Sequence, residues 1–235
     1  MIKYYFLILG TLWSTSMVID ASDWDYNNWT YVNLYLGSIV YPDDPDSNLG
    51  WDLAFYRYHI RTNSGYSGSG NGGAYLDSSD TWSSQSYDMY NEVPLNSFFV
   101  RDTILSSFYD IDTHEGGLEG FANPVLETWG NIDLDNNYQM EYTNNQFIVR
   151  SASGTQFYKF WVTNYYDQNG TSGHVTITYD EINSCSIGHD ECGECGGDDS
   201  SCMGCVDENA CNYSEMFSID DGSCDIDSDL DGVCN

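Results

Sequence analysis

Apolar and polar residues alternate over several short stretches of the chain, and this alternation predicts β-strands. Aromatic and aliphatic side chains alternate with polar ones between residues 24 and 40, which predicts one or two strands. Phe147–Arg150, Phe157–Tyr165 and His174–Tyr179 are rich in β-branched and aromatic residues, and turn residues separate them as in a meander. No long stretch between residues 23 and 184 has the 3.6-residue period of a helix. The pattern therefore predicts an all-β, antiparallel fold.

The run from Trp51 to Thr62 is the longest candidate strand, and a glycine-rich segment follows it. By period two, Arg57, His59 and Arg61 share one face of this strand. Neither face is cleanly polar, so we expect both to be covered. Five glycines between Gly65 and Gly73 predict a tight loop in which backbone, rather than side chains, is closely packed.

The middle of the chain gives weaker patterns. Ser86–Val93 is a candidate strand that Pro94 closes, and Phe98–Tyr109 suits a helix or a strand equally well. Asp110–Asn123 is polar and contains three glycines, which predicts a loop. A new element is expected to begin at Val125.

The cysteines and the aromatic residues divide the chain into two parts. All eight cysteines follow residue 184, whereas only two of the 37 aromatic residues, Tyr213 and Phe217, do so. Residues 22–184 can therefore build a hydrophobic core, but residues 185–235 must be held by covalent links or metal ions. The cysteines are Cys185, Cys192, Cys195, Cys202, Cys205, Cys211, Cys224 and Cys234.

The chain is strongly acidic, with 37 Asp and Glu against six Lys and Arg. The segment from Cys185 onward carries 14 of these acids and no Lys or Arg. Such a chain cannot neutralise nucleic-acid phosphates, and an anionic membrane surface would repel it. No nucleophile–base pattern indicates an enzyme.

Residues 1–21 have the pattern of a secretory signal peptide. Lys3 precedes an apolar run from Tyr4 to Leu12, which is too short to span a membrane. Cleavage is expected after Ser16 or after Ala21. No cysteine lies near this junction, which excludes a lipobox anchor. We therefore expect a secreted or cell-surface protein without a membrane span, in a compartment where disulfides persist.

Several sequence blocks, in order, resemble the HmuY family of bacterial haem-binding proteins. The first is WDLAF at Trp51–Phe55 with the RTN tripeptide and the glycine-rich loop that follow it. NPVLETW at Asn123–Trp129, FIVRSASG at Phe147–Gly154 and GHVTITY at Gly173–Tyr179 are the others, so the resemblance covers about residues 45–180. It implies a β-rich, exported, non-enzymatic protein that takes haem, free or from host haemoproteins, and an outer-membrane haem receptor as a further partner.

The resemblance implies axial ligands to haem iron from the second half of the domain. His114, in a polar loop, and Met140, 26 residues later, are the candidates. Each has an ordinary alternative, because His114 could be a solvated loop residue and Met140 a core gap-filler. The phenol of Tyr138 or Tyr142 is a substitute for Met140.

Three residues of the Trp51–Thr62 run are fallback candidates. His59 could reach iron, although a histidine flanked by Tyr58 and Ile60 is more often a hydrogen-bonded structural residue. Arg57 and Arg61 could bind haem propionates, or could pair with some of the many carboxylates.

The cysteine-rich segment resembles repeats of large exported bacterial proteins. Cys192 and Cys195 have the spacing of a zinc knuckle, but an exported, acidic chain without Lys or Arg favours disulfides. The alternating carboxylates are similar to thrombospondin type 3 calcium repeats, and a solvated acidic segment is the alternative. These residues are Asp225, Asp227, Asp229 and Asp231.

A second function remains open on the sequence. Many tyrosines and tryptophans with few basic residues would also suit an extracellular adhesive or carbohydrate-binding module that keeps the fold without haem.

Overall fold

The computed structural model describes residues 14–94, 97–110, 113–133, 138–182 and 202–226. The chain divides into two units: Met1–Asn91 with Phe98–Ile182, and Glu92–Ser97 with Asn183–Asn235. Within the described residues, the structure contains no helix that is long and apolar enough to cross a bilayer.

The first unit is almost entirely β-structure, as the alternation of apolar and polar residues predicts. Its strands are β1 (Thr15–Asp20), β2 (Thr30–Asn33), β3 (Ser38–Val40), β4 (Leu53–Tyr56), β5 (His59–Thr62), β6 (Gly73–Thr81), β7 (Thr103–Asp110), β8 (Glu115–Ala122), β9 (Gly130–Asp133), β10 (Gln139–Tyr142), β11 (Asn145–Arg150), β12 (Phe157–Tyr166) and β13 (Ser172–Ile182). One short helix, α1 (Ser84–Met89), and one 3-10 helix (Leu126–Trp129) interrupt them.

Two antiparallel sheets supply the main core. The larger sheet has the strand order β1-β13-β12-β11-β6, and the smaller has the order β3-β2-β4-β5. Phe147 and Phe160 of the larger sheet and Phe55 of the smaller one belong to the same cluster of buried side chains. Strand β13 shows the expected alternation, because every second side chain from Gly173 to Tyr179 is buried. The remaining strands of this unit form two hairpins, β7–β8 and β9–β10.

The expected single strand from Trp51 to Thr62 is wrong, because the chain reverses at Arg57. Arg57 has a positive φ of 53°, and the register pairs Tyr56 with His59 across the turn. The sequence therefore contains a hairpin of β4 and β5 rather than one long strand. The expectation that both faces are covered is confirmed, since every residue of both strands is buried.

Two further predictions for the middle of the chain are wrong. Ser86–Val93 is not a strand, because Ser83 caps a helix there: its Oγ accepts a hydrogen bond from the N–H of Ser86 at 3.1 Å, and Ser86 Oγ accepts from the N–H of Ser83 at 2.8 Å. Asp110–Asn123 is not a loop, because most of it forms strand β8. Gly120 is buried in that strand, and a Cβ there would overlap the ring of Phe108.

The glycine-rich loop between β5 and β6 folds around the side chain of Asn63. Its amide donates to the carbonyls of Asn48 at 2.8 Å and Trp51 at 3.0 Å, and its Oδ1 accepts from the N–H of Gly70 at 3.0 Å. Gly65 has a φ of +57°, and a Cβ there would overlap the carbonyl oxygen of Asp102. The glycines therefore serve close backbone approach, as the sequence predicts.

The buried carboxylate of Asp102 connects this loop to the 3-10 helix. It accepts hydrogen bonds from Thr62 Oγ1 at 2.6 Å, from the Thr62 N–H at 2.9 Å and from Asn123 Nδ2 at 3.0 Å. The Oδ1 of Asn123 in turn accepts from the N–H groups of Val125 and Leu126, at the start of the 3-10 helix. Burial raises the pKa of Asp102 to about 6, against the lowering effect of its hydrogen bonds.

Candidate functional site

A pocket of about 470 Å³ lies between the two hairpins of the first unit. Strand β7 supplies one wall through Leu105, Ser106 and Ser107, and strand β9 supplies the other through Gly130, Asn131 and Ile132. The remaining lining residues are Tyr58, Pro124 and Glu127. The walls are thus part apolar and part hydroxyl or amide, and no Lys or Arg is among the described residues that line them.

The floor of the pocket is rigid because a buried histidine is paired with its lining carboxylate. Glu127 Oε2 is 2.7 Å from His59 Nδ1, and Glu127 Oε1 accepts from the N–H of Ile60 at 3.1 Å. The His59 ring lies against those of Tyr58 and Phe108, with centroid distances of 4.1 and 3.8 Å. His59 is therefore occupied in the way expected of a structural histidine.

Tyr58 forms part of the same floor as a neutral phenol. Its hydroxyl donates to the carbonyl of Ser107 at 3.1 Å, which ties the β4–β5 turn to strand β7. Burial, followed by the nearby carboxylate of Glu127, raises the pKa of Tyr58. The Nε1–H of Trp129 donates to the Tyr58 carbonyl at 2.8 Å and fixes the backbone.

His114 lies in the turn between β7 and β8, at the end of one hairpin. It has a positive φ of 57°, and its Nδ1 is 3.1 Å from the hydroxyl of Tyr109. The side chain is exposed. If Nδ1 donates its proton to Tyr109, Nε2 is left with a lone pair, which is the form in which histidine binds metals.

Met140 lies on the other hairpin, but its side chain belongs to the core. Only 6% of it is exposed, and its N–H donates to the hydroxyl of Tyr166 at 2.8 Å. Its sulfur lies directly behind the pocket wall, because a Cβ on Gly130 would be 2.7 Å from Met140 Sδ. The thioether is therefore adjacent to the pocket and separated from it by a glycine.

The two substitute tyrosines differ in their surroundings. Tyr138 is 71% exposed and has a positive φ of 58°, next to residues 134–137 that lie outside the described part. Tyr142 is half-buried, and its hydroxyl accepts from the N–H of Tyr165 at 3.0 Å while it lies 3.3 Å from Asn164 Oδ1.

Arg57 and Arg61 do not line the pocket. Arg57 donates to the carbonyl of Ser22 and to Ser172 Oγ, both at 2.7 Å, and its guanidinium lies 3.9 Å from the ring centroid of Trp24. Arg61 donates to the carbonyl of Phe121 at 2.9 Å and to Tyr26, and burial lowers its pKa. Both guanidinium groups bind neighbouring segments of the chain in this structure.

The second unit contains disulfides. Cys205 and Cys224 are bonded to each other with their Cα atoms 4.7 Å apart, and Cys202 and Cys211 each take part in a disulfide as well. No free cysteine occurs among the described residues. The prediction of disulfides is thus confirmed for these four, whereas Cys185, Cys192, Cys195 and Cys234 lie outside the described residues.

The calcium prediction falls mostly outside the described residues. Asp227, Asp229 and Asp231 lie there, and Asp225 uses its backbone to bond Asn212 and Cys211. In the part of the chain that the structure describes, no three His, Cys, Asp or Glu side chains are grouped to hold a metal ion.

Sequence reasoning missed most of the pocket. Glu127 and Pro124 lie within the NPVLETW block, which marks the family but does not reveal that the carboxylate faces a pocket. Ser106, Ser107 and Asn131 carry no signal of their own, because only the pairing of distant strands brings them together.

Comparison with known proteins defines the class. The fold, with two hairpins beside a pair of packed sheets, is that of an HmuY-like domain. The family model described as HmuY protein matches residues 25–179, and the chain belongs to this family. No curated protein matches the chain.

Solved structures agree with the family at the level of the fold. The apo HmuY analogue of Tannerella forsythia is 22% identical with a TM-score of 0.52, and the match covers 73% of this chain and 96% of that one. A provisionally named HmuY-like haem-binding protein of Bacteroides vulgatus is 23% identical with a TM-score of 0.53, covering 71% and 90%. A provisionally named lipoprotein of Bacteroides fragilis is 22% identical with a TM-score of 0.53, covering 71% and 88%.

The donor groups of the two hairpins fit an iron porphyrin in part, although His114 is not among the residues that line the pocket. An imidazole lies at the end of one hairpin and a thioether behind the wall of the other, and both are axial ligands that haem iron accepts. Leu105, Ile132 and Pro124 offer apolar contact to a ring. No cation among the lining residues faces the propionates.

Proposed function

We propose that this protein is an exported, non-enzymatic haem-binding protein, and that haem binds between the β7–β8 and β9–β10 hairpins. The observation that carries the proposal is the pocket between these hairpins, in a member of the HmuY family. A flat, largely apolar ligand suits a pocket with one wall from β7, one from β9 and the ring of Tyr58 between them.

In this proposal His114 supplies the first axial ligand through Nε2. Its exposure lets it turn towards iron, and the contact with Tyr109 at 3.1 Å supplies the required tautomer when Nδ1 is the donor. Met140 is the second candidate. Because its sulfur lies behind Gly130, binding requires rotation of the side chain or a shift of the β9–β10 hairpin, and Tyr138 is an exposed substitute nearby.

Charge determines how the propionates would be oriented. The chain carries a formal net charge of −31, and no Lys or Arg lines the pocket. The propionates are therefore expected to point to solvent, where water stabilises them, and the hydroxyls of Ser106 and Ser107 and the amide of Asn131 are the polar groups available to the ring edge. Binding is then expected to weaken little when salt is added.

The test is a haem titration of the purified chain, followed by its Soret band with ferric and with ferrous iron. We expect His114→Ala to weaken binding at least tenfold, which corresponds to about 1.4 kcal/mol. Met140→Leu removes the thioether at nearly constant volume, so a loss there reports ligation rather than a cavity. His174→Ala, on strand β13, is the control histidine. No Soret shift for the wild type with either iron state would refute the proposal.

One result would exclude His114 as an axial ligand without contradicting haem binding itself. If the wild type binds haem and His114→Ala gives an equal spectrum and affinity, His114 is not a ligand. Tyr138 and Tyr142 would then be the next residues to replace, followed by His59.

The second candidate function is an adhesive or carbohydrate-binding surface module. It is favoured by exposed aromatic side chains, among them Tyr35 at 71%, Tyr41 at 89% and Phe98 at 78%. Aromatic rings on a surface are the usual stacking platforms for sugars. Binding to a glycan array without any Soret shift would support this function over the first.

Export and partners complete the proposal. An N-terminal leader would carry the chain to the cell surface or outside it, where free haem or host haemoproteins are available, and an outer-membrane haem receptor would be the acceptor. Calcium binding by Asp225, Asp227, Asp229 and Asp231 is a further proposal, which calorimetric titration of the cysteine-rich segment with calcium tests.

A further inference from the structure

Strand β1 lies within residues 1–21, for which the sequence predicts a removable leader, yet it is part of the folded sheet. It pairs with β13 along its whole length, from Thr15 opposite Tyr179 to Asp20 opposite His174. The sequence left two cleavage positions open, after Ser16 and after Ala21. Cleavage after Ser16 keeps four of the paired residues of β1, whereas cleavage after Ala21 removes the entire strand.

The burial of β1 changes at one peptide bond. Ser14, Thr15 and Ser16 are all exposed. From Met17 onward the inward-facing side chains enter the core: Met17 packs against it, and Ile19 is fully buried. The bond between Ser16 and Met17 therefore separates three exposed residues from the first residue of β1 that packs against the core.

Residues just after β1 are bound to other parts of the unit. Ala21 is 2% exposed; its N–H donates to the carbonyl of Gly173 at 2.8 Å, and its carbonyl accepts from the N–H of Arg57 at 2.9 Å. Thr30 Oγ1 donates to the carbonyl of Asp20 at 2.7 Å. Cleavage after Ala21 would leave a hole at the position of Ile19 and an unpaired edge on β13.

The local sequence agrees with the packing. Cleavage of a leader requires small residues at the position before the cut and two residues further back. Ser16 and Ser14 satisfy this at the first position. At the second, Ala21 is small but the residue two positions before it is Ile19.

We propose that the leader is removed by hydrolysis of the Ser16–Met17 bond, so that Met17–Asp20 stays in the mature protein as the edge strand of the larger sheet. Water adds its hydroxyl to the carbonyl carbon of Ser16 and a proton to the released amine of Met17. The proposal rests on the export of the chain and is independent of haem.

The experiment is expression of the full chain in a Gram-negative host, with the exported protein isolated and its intact mass measured. A mass that begins at Met17 supports the proposal. A mass that begins at Ser22, or a chain that retains residues 1–16, overturns it. Ser16→Leu should abolish this cut, and Thr15→Leu, equally exposed but between the two recognised positions, should leave it unchanged.

A second measurement tests the structural reason without any processing. Two chains are made without a leader, one that begins at Met17 and one that begins at Ser22 after an initiator methionine. We expect the shorter chain to melt about 5–15 °C lower, because it lacks Ile19 and the pairing of β1. Equal melting temperatures would show that the fold does not require β1 and would overturn the argument.

Discussion

Asp102 is the best position at which to measure how burial and hydrogen bonding compete in this fold. Its carboxylate is 3% exposed and is surrounded by donors from Thr62 and Asn123. Burial raises its pKa to about 6, whereas the ordinary value is 3.8. The folded protein therefore holds a proton on Asp102 over a range of pH in which the unfolded chain has lost it.

The sign of the pH effect follows from this difference. Between pH 3.8 and about 6 the folded state binds more protons than the unfolded state, so the free energy of unfolding falls as the pH rises. The difference in pKa corresponds to about 3 kcal/mol in total at about 1.4 kcal/mol per unit, and about half of it falls between pH 5 and 7.5. Asp102 thus stabilises the protein most in acid.

Asp102→Asn isolates this contribution, because the amide does not ionise. The substitution destabilises the protein at both pH values, since an amide N–H is placed among other donors. We expect the loss in free energy of unfolding to be about 1.4 kcal/mol larger at pH 5 than at pH 7.5. Urea denaturation followed by tryptophan fluorescence measures it, and pH 5 stays above the isoelectric point near 4.1.

Asp167→Asn is the matched control for this experiment. The N–H groups of Thr171 and Asn169 hold the pKa of Asp167 below its ordinary value, so this exposed carboxylate is ionised in both states at pH 5 and at pH 7.5. Asp167→Asn should therefore lower the free energy of unfolding by the same amount at the two pH values. If Asp102→Asn costs the same at both pH values, or more at pH 7.5, the donors around Asp102 outweigh its burial and the reasoning fails.

Three further predictions test other parts of the structure. Glu127→Ala should lower the free energy of unfolding by about 2–3 kcal/mol in urea denaturation, because it leaves the buried His59 ring without its partner; an unchanged midpoint would contradict this. Gly65→Ala should destabilise the protein by more than about 3 kcal/mol, whereas Gly170→Ala, also at positive φ but facing open space, should cost only about 1 kcal/mol; equal losses would refute the assigned clash. Replacing both Cys205 and Cys224 by serine should make residues 202–226 sensitive to limited proteolysis and leave the melting temperature of the first unit unchanged. A fall in that melting temperature would contradict this prediction.

The strands that could be predicted are those that their own run or alternation of apolar residues identifies. Phe147–Arg150, Phe157–Tyr165 and His174–Tyr179 alternate or run apolar over their own length, so each needs no knowledge of its partner. The turn at Arg57 could not be predicted in this way. A non-glycine residue at positive φ has no local signal, and surrounding contacts hold it there at some cost.

The pocket could not be predicted because it arises from long-range pairing. His114 is recognisable as a candidate from its residue type, but its place at the end of a hairpin depends on β8, whose glycines resemble those of a loop. Gly120 is tolerated there because the Phe108 ring covers it, and this contact is visible only in the folded chain. Met140 is a candidate through the family resemblance and its distance from His114 along the chain, but its burial behind Gly130 depends on how β9 and β10 pack.

The neighbouring positions of β1 and β13 also restrict the order in which the first unit can fold. Ile19 and Val175 are register partners although they lie near opposite ends of the unit. A chain that crosses an export channel from its N-terminus therefore presents β1 long before its partner arrives, and the sheet closes only when almost the whole unit has emerged. During that interval β13 cannot protect the edge of β1, so if the chain is exported as proposed, chaperones that bind extended apolar segments would be needed most at its N-terminal strand.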